Sequence, residues 1–564
     1  MGRDVPKSPG EVPGKPKGEF KGHSNIAACF LDVAGQFPDY PALGIAGGDS
    51  VLNYRETAEA VRRFAYHLGP LDSGHRAGIL SENRPEWAIA YLGVLAAGGM
   101  VVPIDPHFKE EELCRLISEA VLDTLCVSAR LRGIAEKASA TCPRRPEIII
   151  LEQILSLTGE PYRLSLTEDG ALPAALIFTS GTTGNIKKVI LTHGNILSDI
   201  DGFCRRVSLP PTSRFLSVLP LHHTLECTCD MIAPLLLGGA VYYVRELNSR
   251  EILNGIKAHR ITHFISVPLL FEKLYHGIRN TVKKASLPQR TLFNLIMGLV
   301  RAIYAVTGVN TGRMMFASFR RKAGLDSVEL MISGGAPLPV EVSKAINLLG
   351  ISFVEGYGLT ETSPVVTLGT PERFKFGSVG PPLDNAEVKL DSPDNHGIGE
   401  LLVRGPMTTP GYDGNPEATA ALLQDGWLYT GDLARIDSDG YVFIVGRKKN
   451  LIVSAAGKNI YPEEIEAGLL ASPFIIEAMV YGRKEAGGRE EVSALIYPDF
   501  DRLEMQLGKG RIDITNDEIK AILDPEIKAI CGRMADFKRI KHITYLRQEL
   551  EKTSTRKIKR NTPR

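Results

Sequence analysis

Residues 87–104 read WAIAYLGVLAAGGMVVPI, eighteen positions without a charged side chain. That length reaches the nominal minimum for a membrane-spanning helix. Gly98-Gly99 and Pro103 interrupt it, and the pattern reads instead as a helix, a Gly-Gly break and a buried strand in a soluble core. The same order returns at 231–244, MIAPLLLGGAVYYV: an apolar helix end, Gly238-Gly239, then a β-branched and aromatic strand. One copy is ordinary punctuation. Two copies, their glycine pairs 140 residues apart, predict two similar α/β subdomains side by side.

Neighbouring segments extend the alternation. ITHFISVPLL (261–270) reads as a strand after a helix, and SVELMISGGAPLP (327–339) as a strand entering a Gly-rich turn before a helix. From about residue 377 the texture changes to short strands and turns, as in EVKLDSPDNHGIGELLVRGP (387–406) and DGWLYTGDLARIDSDGYVFIVGRKK (425–449), which predicts a small β-rich subdomain. After GRKKN (446–450) comes a compact α+β stretch, expected to be a small mobile C-terminal domain. The expected division is a flexible tail at 1–24, an N-terminal domain at 25–447 and a C-terminal domain at 448–564.

Composition narrows the function classes. The 564 residues carry 66 Lys+Arg against 65 Asp+Glu, a formal net charge of +1, so no global field steers the chain toward nucleic acid. Apolar residues at 44% and charged residues at 23% exclude wholesale disorder. Eight cysteines, with Cys227 and Cys229 the one close pair and neither CxxC nor HExxH present, exclude a disulfide scaffold and give no support for structural zinc. Residues 1–24 hold nine Gly or Pro and no apolar run of signal-peptide type. A reduced, cytoplasmic protein is the expectation.

The chemistry begins at FTSGTTGNIKKVILTHGN (178–195). Thr179, Ser180, Gly181, Thr182, Thr183 and Gly184 form a hydroxyl-rich, Gly-rich loop after an apolar strand, with Lys187 and Lys188 just beyond. Freed backbone N–H groups and hydroxyls suit a polyphosphate. The pattern GxxxxGK[ST] fails because Ile186 stands where the second Gly belongs. Alone, the loop also reads as a flexible surface turn.

TSGTTG (179–184), LPLHH (219–223), ISGGAPLP (332–339), EGYGLTETSP (355–364), RGP (404–406), GWLYTGDL (426–433), GRKKNLIVSAAGKNIYPEEIE (446–466) and KTSTRKIKR (552–560) follow one another in this order. Together they resemble the adenylate-forming superfamily, the AMP-dependent synthetases and ligases, and most of all long-chain acyl-CoA synthetases. The resemblance covers nearly the whole chain from about residue 25. It implies a two-step reaction: a carboxylate attacks the α-phosphate of ATP, giving acyl-AMP and pyrophosphate, and the thiol of CoA then displaces AMP. The implied cofactors are ATP, Mg²⁺ and CoA.

The resemblance also implies roles. The loop 179–184, with Lys187, would hold the β- and γ-phosphates. Glu361 would hold Mg²⁺, a hard cation that takes carboxylate oxygen, and Thr360 would bind the α-phosphate. Tyr357, flanked by Glu355, Gly356 and Gly358, would stack on adenine, with Gly334, Gly335, Ala336 and Pro337 on the other side of the base. Asp432 would accept the ribose hydroxyls and Arg447 would reach ribose or phosphate. Lys557 would bridge carboxylate and α-phosphate where negative charge crowds. His223 would sit near the acyl pocket, while His222 is left open as packing. Lys449 falls at the hinge position, and Gly457 would face pantetheine after the C-terminal domain turns. Taken singly, Tyr357 also reads as a core aromatic, Asp432 as a turn residue, and Lys449 and Lys557 as surface charges; ordered co-occurrence favours the site reading. Ile186-Lys187-Lys188-Val189 departs from the usual Pro-Lys-Gly-Val, which is expected to change loop stiffness and add a charge beside pyrophosphate.

From Thr281 to Leu325 the chain has eight Lys/Arg and no Asp/Glu, with Leu292, Phe293, Leu295, Ile296, Leu299, Val300, Ile303 and Tyr304 at helical spacing. This reads either as a peripheral membrane-surface helix or as a packed insert. The expected activity is an AMP-forming acyl-CoA synthetase for a medium- or long-chain fatty acid. The alternatives are an acyl- or aryl-AMP ligase that loads a carrier protein, and a catalytically silent nucleotide-binding protein. The sequence stops seven residues after Lys557, so no appended carrier domain is expected.

Overall fold

A computed structural model describes residues 22–158, 166–180, 186–454, 458–484, 490–552 and 558–560. Its centre is the helix Pro85–Ala97, in which every residue except Glu86 is buried. The helix touches the strands Arg76–Leu80 and Met100–Ile104 on one side and Pro41–Ile45 on the other. These strands belong to two different sheets, so the helix is a shared filling, and that is why it is apolar all round rather than striped. No helix among the described residues is long and apolar enough to cross a membrane.

The first sheet has seven strands in the order Gly411–Tyr412, Ile186–Thr192, Pro173–Ser180, Met100–Ile104, Arg76–Leu80, Thr124–Val127, Glu147–Ile150. The second has eight: Val365–Leu368, Ser352–Gly358, Leu330–Ser333, His263–Ser266, Arg214–Ser217, Ala240–Tyr243, Pro41–Ile45, Val51–Asn53. The strands from Pro173–Ser180 to Glu147–Ile150 in the first, and from Ser352–Gly358 to Pro41–Ile45 in the second, run parallel. The two α/β subdomains are therefore present, each built around one copy of the repeated helix–Gly-Gly–strand phrase. Gly98 and Gly238 close the two helix ends at φ +99° and +83°, the left-handed region that glycine enters without a Cβ penalty.

Smaller antiparallel sheets follow. Glu387–Asp391, Ile398–Arg404, Trp427–Ile436 and Leu423–Gln424 are joined by Val442–Arg447, and the last pairing sets Asp432 opposite Arg447. Beyond the turn Lys448–Asn450, the strands Ile475–Lys484, Glu490–Pro498 and His542–Tyr545 pack with the helices Pro462–Leu470 and Asn516–Cys531 around an apolar cluster drawn only from residues 452–546. At the other end, residues 1–21 of the expected tail lie outside the described residues. Ser24 N–H donates to Glu168 at 2.8 Å, and the Asn25 side chain caps the helix Ile26–Gln36.

The basic segment 281–325 lies between the paired strands His263–Ser266 and Leu330–Ser333. Its main helix, Leu287–Thr307, has two apolar sides. Val300, with Phe293 and Ile296, packs on Phe316, Leu348 and Leu349, while Leu292, Leu295, Leu299 and Val306 are 46–86% exposed. Arg320 is not a surface charge: it is buried and donates to the carbonyls of Gly312 and Leu349 at 3.2 and 2.6 Å.

A Cβ on Gly98 would stand 2.8 Å from the Leu71 carbonyl oxygen, in a backbone conformation that L-residues avoid. Gly98→Ala is expected to destabilise the N-terminal part by about 1–2 kcal/mol from backbone strain alone. Gly133→Ala, in open space within the helix Arg132–Ala140, should be neutral or slightly stabilising. Thermal melts of the two variants check this.

Candidate active site

At the carboxyl ends of three adjacent parallel strands lie Ser266, Ser333 and Glu355. Ligands of parallel α/β sheets bind at such ends. All three residues are buried, and Ser266 Oγ, Ser333 Oγ and Glu355 Oε1 have no hydrogen-bond partner among the described residues. Burial raises Glu355 to about 7. Buried polar atoms are normally satisfied, so this row fits a polar planar ligand such as a nucleotide base. Gly334 N–H donates to Ser266 O at 3.1 Å and begins the turn whose Gly335, Ala336 and Pro337 are exposed.

The strand that carries Glu355 continues through Gly356, Tyr357 and Gly358 into the tight turn Thr360–Thr362. A Cβ on Gly358 would fall 1.7 Å from Pro364 O, so the fold of this turn itself requires glycine there. The Tyr357 hydroxyl donates to Asp432 Oδ2 at 2.6 Å, and Arg447 Nε meets Asp432 Oδ1 at 2.6 Å. Burial first, then the Asp432 charge, keeps the Tyr357 phenol protonated. Asp432 is nearly inaccessible while Arg447 is about 39% exposed, so the aromatic, the carboxylate and the guanidinium form one row leading to solvent.

A second row crosses between the sheets. Tyr412 OH donates to Glu361 Oε1 at 2.8 Å, and Lys187 Nζ donates to the same hydroxyl at 3.3 Å while lying 4.5 Å from the ring centroid. Burial and the Glu361 charge push the Tyr412 phenol far above its ordinary range. Among the described residues one hydrogen bond, from Tyr412, aims the Glu361 carboxylate. Mg²⁺ commonly takes one or two carboxylates and fills its other positions with water and phosphate oxygens, so this donor set fits it; no cluster of three His, Cys, Asp or Glu occurs among the described residues.

Segment 405–413 holds this row in place. Thr409 N–H donates to Glu361 O at 2.8 Å, Thr409 Oγ1 to Ile190 O at 2.5 Å, and Ser363 Oγ to Met407 O at 2.8 Å. Gly411 and Tyr412 then pair with Ile190 and Val189. Next, Asp413 takes both Arg76 guanidinium nitrogens at 3.0 Å and Lys188 Nζ at 2.8 Å. Lys188 also donates to Glu119 O at 3.1 Å. The unusual Lys188 is thus an anchored ion-pair member at the back of the strand rather than a free charge.

The LPLHH loop is clamped from the first subdomain. Asn83 Nδ2 donates to Leu219 O at 2.6 Å and Asn83 Oδ1 accepts from Leu221 N–H at 3.1 Å. Beneath it, Ser217 Oγ meets Glu226 Oε1 at 2.5 Å, and burial raises both Glu226 and its neighbour Asp230. The His222 and His223 rings are 4.2 Å apart, and His222 Nε2 lies 3.6 Å from Asp105 Oδ2. Burial lowers His222 to about 4, which leaves it neutral and packed. Leu225, two residues beyond His223, faces Gly334.

The family model for the AMP-binding enzymes matches residues 30–413. The chain belongs to this family. The long-chain-fatty-acid–CoA ligase FadD15 of Mycobacterium bovis is 30% identical over 529 residues, covering 86% of this chain and 83% of that protein. A feruloyl-CoA synthase of Amycolatopsis is 28% identical, with 82% and 87% covered. Among solved structures, ATP-bound MatB of Rhodopseudomonas palustris superposes with a TM-score of 0.76 at 25% identity, covering 96% of this chain and 98% of that one. The protein is an AMP-forming acid–CoA ligase that uses ATP, Mg²⁺ and CoA.

Tyr357, Asp432 and Arg447 therefore stand together, as do Lys187 and Glu361, with Thr360 in the same turn. Thr179 Oγ1 lies 3.5 Å from Lys187 O. Gly181, Thr182, Thr183, Gly184, Gly457, Lys557 and the Ser180 side chain lie outside the described residues. Sequence reasoning missed Tyr412, Asp413, Asn83 and Glu226. A signal for the first two existed in TTPGYDG (408–414), just after RGP, but their partners Glu361, Lys187, Lys188 and Arg76 lie 51 to 337 residues away. Tyr412→Phe keeps the packing and removes the hydrogen bond to a charged carboxylate, a loss of about 1.5–3 kcal/mol. It should lower ATP–pyrophosphate exchange on the order of ten- to a hundredfold, with the thermal midpoint falling by only a few degrees.

Proposed function

We propose that this ligase activates a medium- or long-chain fatty acid as acyl-AMP and passes it to CoA, with residues 25–447 as the adenylating domain and 448–564 as a domain that turns between the two steps. The observation that carries the reading is the pair of rows, Lys187–Tyr412–Glu361 and Tyr357–Asp432–Arg447, drawn from both α/β sheets and the β-rich sheet and joined by the segment 355–361 that also carries the buried Glu355. ATP supplies the leaving group that a carboxylate lacks. Glu361 holds Mg²⁺, and the loop 179–184 with Lys187 holds the outer phosphates. Thr360 reaches the α-phosphate. Tyr357 stacks on the base against Gly334–Pro337, with Glu355 and Gly356 along its edge. Asp432 accepts from the ribose hydroxyls. Lys557 neutralises the charge gathered at the adenylating centre, where a fixed cation acts most strongly. His223 lines the mouth of the acyl pocket.

The turn Lys448–Asn450 suits a pivot. Lys448 Nζ binds Glu400 at 2.7 Å on the β-rich side, and Asn450 Nδ2 binds Glu463 at 2.8 Å on the C-terminal side. Lys449, between these anchors, is exposed. Rotation about it withdraws Lys557 and brings Gly457 toward pantetheine. The long-chain reading is supported by the names of FadD15 and of the Yersinia pestis long-chain-fatty-acid–CoA ligase, 28% identical over 95% of this chain. A second reading, an aromatic acid, is supported by the feruloyl-CoA synthase; pyrophosphate release across a panel of fatty and aromatic acids, with and without CoA, separates the two.

The half-reactions test the assignment. Glu361→Ala and Lys557→Ala should lose acid-dependent pyrophosphate exchange, the latter by about 2–4 kcal/mol, while Lys557→Ala still converts supplied acyl-AMP and CoA. Lys449→Pro, which fixes φ at the pivot, should leave exchange near normal and impair transfer to CoA. Wild-type exchange in Glu361→Ala sinks the site, and survival of both half-reactions in Lys449→Pro sinks the hinge.

We also propose peripheral contact with membranes through the helix Leu287–Thr307. Leu292, Leu295, Leu299 and Val306 are exposed along one side, and Lys283, Lys284, Arg290, Arg301, Arg313, Arg321 and Lys322 are exposed on the same segment. Apolar burial plus attraction to anionic headgroups gives such binding. The protein should co-sediment with anionic liposomes at low salt, less so at high salt, and Leu295→Asp with Leu299→Asp should release it. Absence from the low-salt pellet refutes the contact.

A further inference from the structure

Two thiols outside the site stand against each other. Cys114 lies in the helix Glu110–Ala120, and Cys142 follows Thr141, the C-cap of the helix Arg132–Ala140. Their sulfurs are 3.5 Å apart. Cys142 is 6% exposed and donates to Ala138 O at 3.1 Å. Cys114 is half-buried and its sulfur accepts from the exposed Thr141 hydroxyl at 3.2 Å. All eight cysteines of the chain are free thiols, and five of the others are fully buried.

We infer that Cys114 and Cys142 form a reversible intramolecular disulfide site that takes a peroxide as oxidant. A disulfide needs the sulfurs about 2.05 Å apart, so the gap must close by roughly 1.5 Å. Cys142 sits in the turn after a helix end rather than within the helix, and the residues on either side of it, Thr141 and Pro143, are exposed, so its backbone can make part of that move while the Cys114 helix makes the rest. Cys114, the less buried of the two thiols, attacks the peroxide O–O bond as thiolate. An S–O bond forms, and the other oxygen leaves as water or an alcohol. The Cys142 sulfur then attacks the Cys114 sulfur; the S–S bond forms, the S–O bond breaks, and the oxygen departs as water with the Cys142 proton. Two thiols are oxidised and one peroxide is reduced. A small dithiol reverses the bond by exchange, as expected of a redox-responsive rather than a structural pair in a reducing compartment.

The bond is made on a helix that touches the phosphate-loop strand. The last carbonyls of that helix, Glu119 O and Ala120 O, accept from Lys188 Nζ at 3.1 Å and from Arg76 Nη1 at 3.0 Å, and both cations hold Asp413, next to Tyr412. Pulling Cys114 toward Cys142 strains this support, so oxidation is expected to slow adenylation; that consequence rests on the proposed site, whereas the disulfide does not. Full-length protein is treated with hydrogen peroxide, blocked with an alkylating agent, digested and mapped by mass spectrometry. The expected product is a Cys114–Cys142 cross-linked peptide, two hydrogens lighter than the free pair, lost on dithiothreitol treatment and absent from Cys114→Ser and from Cys142→Ser. Recovery of Cys114 as sulfinic acid with Cys142 alkylated, or a cross-link confined to other cysteines, overturns the disulfide, and the wild-type map decides this even where a variant folds poorly. Pyrophosphate exchange should fall at least twofold in the cross-linked wild type, recover on reduction, and hold steady in peroxide-treated Cys114→Ser. An unchanged rate in fully cross-linked protein overturns the link to Lys188.

Discussion

Two α/β sheets that each bury a hydrophobic face can share one helix and still leave their polar ends in any relation to each other. Here segment 405–413 removes that freedom. Thr409 joins Glu361 on the second sheet to Ile190 on the first, through its backbone N–H and its hydroxyl. Gly411 and Tyr412 then add a strand to the first sheet, and Asp413 closes the segment with Arg76 and Lys188. Only with this strap in place does the Tyr412 hydroxyl stand between a lysine of one sheet and a carboxylate of the other. The chemistry of the site rests on that juxtaposition, because neither sheet alone carries both charges.

The polar interior is arranged in the same spirit. Glu226 and Asp230, one turn apart and fully buried, have raised carboxyl pKa values through desolvation and lie under the LPLHH loop that Asn83 holds from the opposite subdomain. Asp199, also buried, accepts from Val365 N–H at 3.0 Å and so ties the helix His193–Cys204 to the edge of the second sheet. Leaving such groups without partners costs about 1–3 kcal/mol each, so the Asn83 and Asp199 contacts fix the register of elements whose apolar faces alone would tolerate sliding. By contrast, among the described residues Ser266 Oγ, Ser333 Oγ and Glu355 Oε1 have no hydrogen-bond partner, at the strand ends where the proposed nucleotide would complete them.

Local physics made much of this legible from the chain itself. The repeated helix–Gly-Gly–strand phrase marked two subdomains because a left-handed helix end favours glycine. The ordered motifs fixed the family, and the strand that carries Asp432 lies beside the strand that carries Arg447, as two hairpin neighbours must. Arg320 shows where such reading stops. A run of Arg-Arg-Lys at 320–322 looks like one surface patch, yet the helix turns about 100° per residue and sends the first of the three into carbonyls at a helix end. Lys188 is similar: its charge was visible, but its partner Asp413 is 225 residues away.

The sequence by itself determined the element types, the doubled α/β plan, the β-rich and C-terminal additions, and the residue types of a nucleotide-using site, because backbone propensity, apolar periodicity and short motifs act over neighbouring positions. Only the tertiary structure decided which charges face solvent, that Tyr412 aims Glu361, that Asn83 holds the histidine loop, and that Cys114 meets Cys142. Those are contacts between side chains far apart in the chain, and no local pattern encodes a distance that exists only after two sheets and their covering helices have packed.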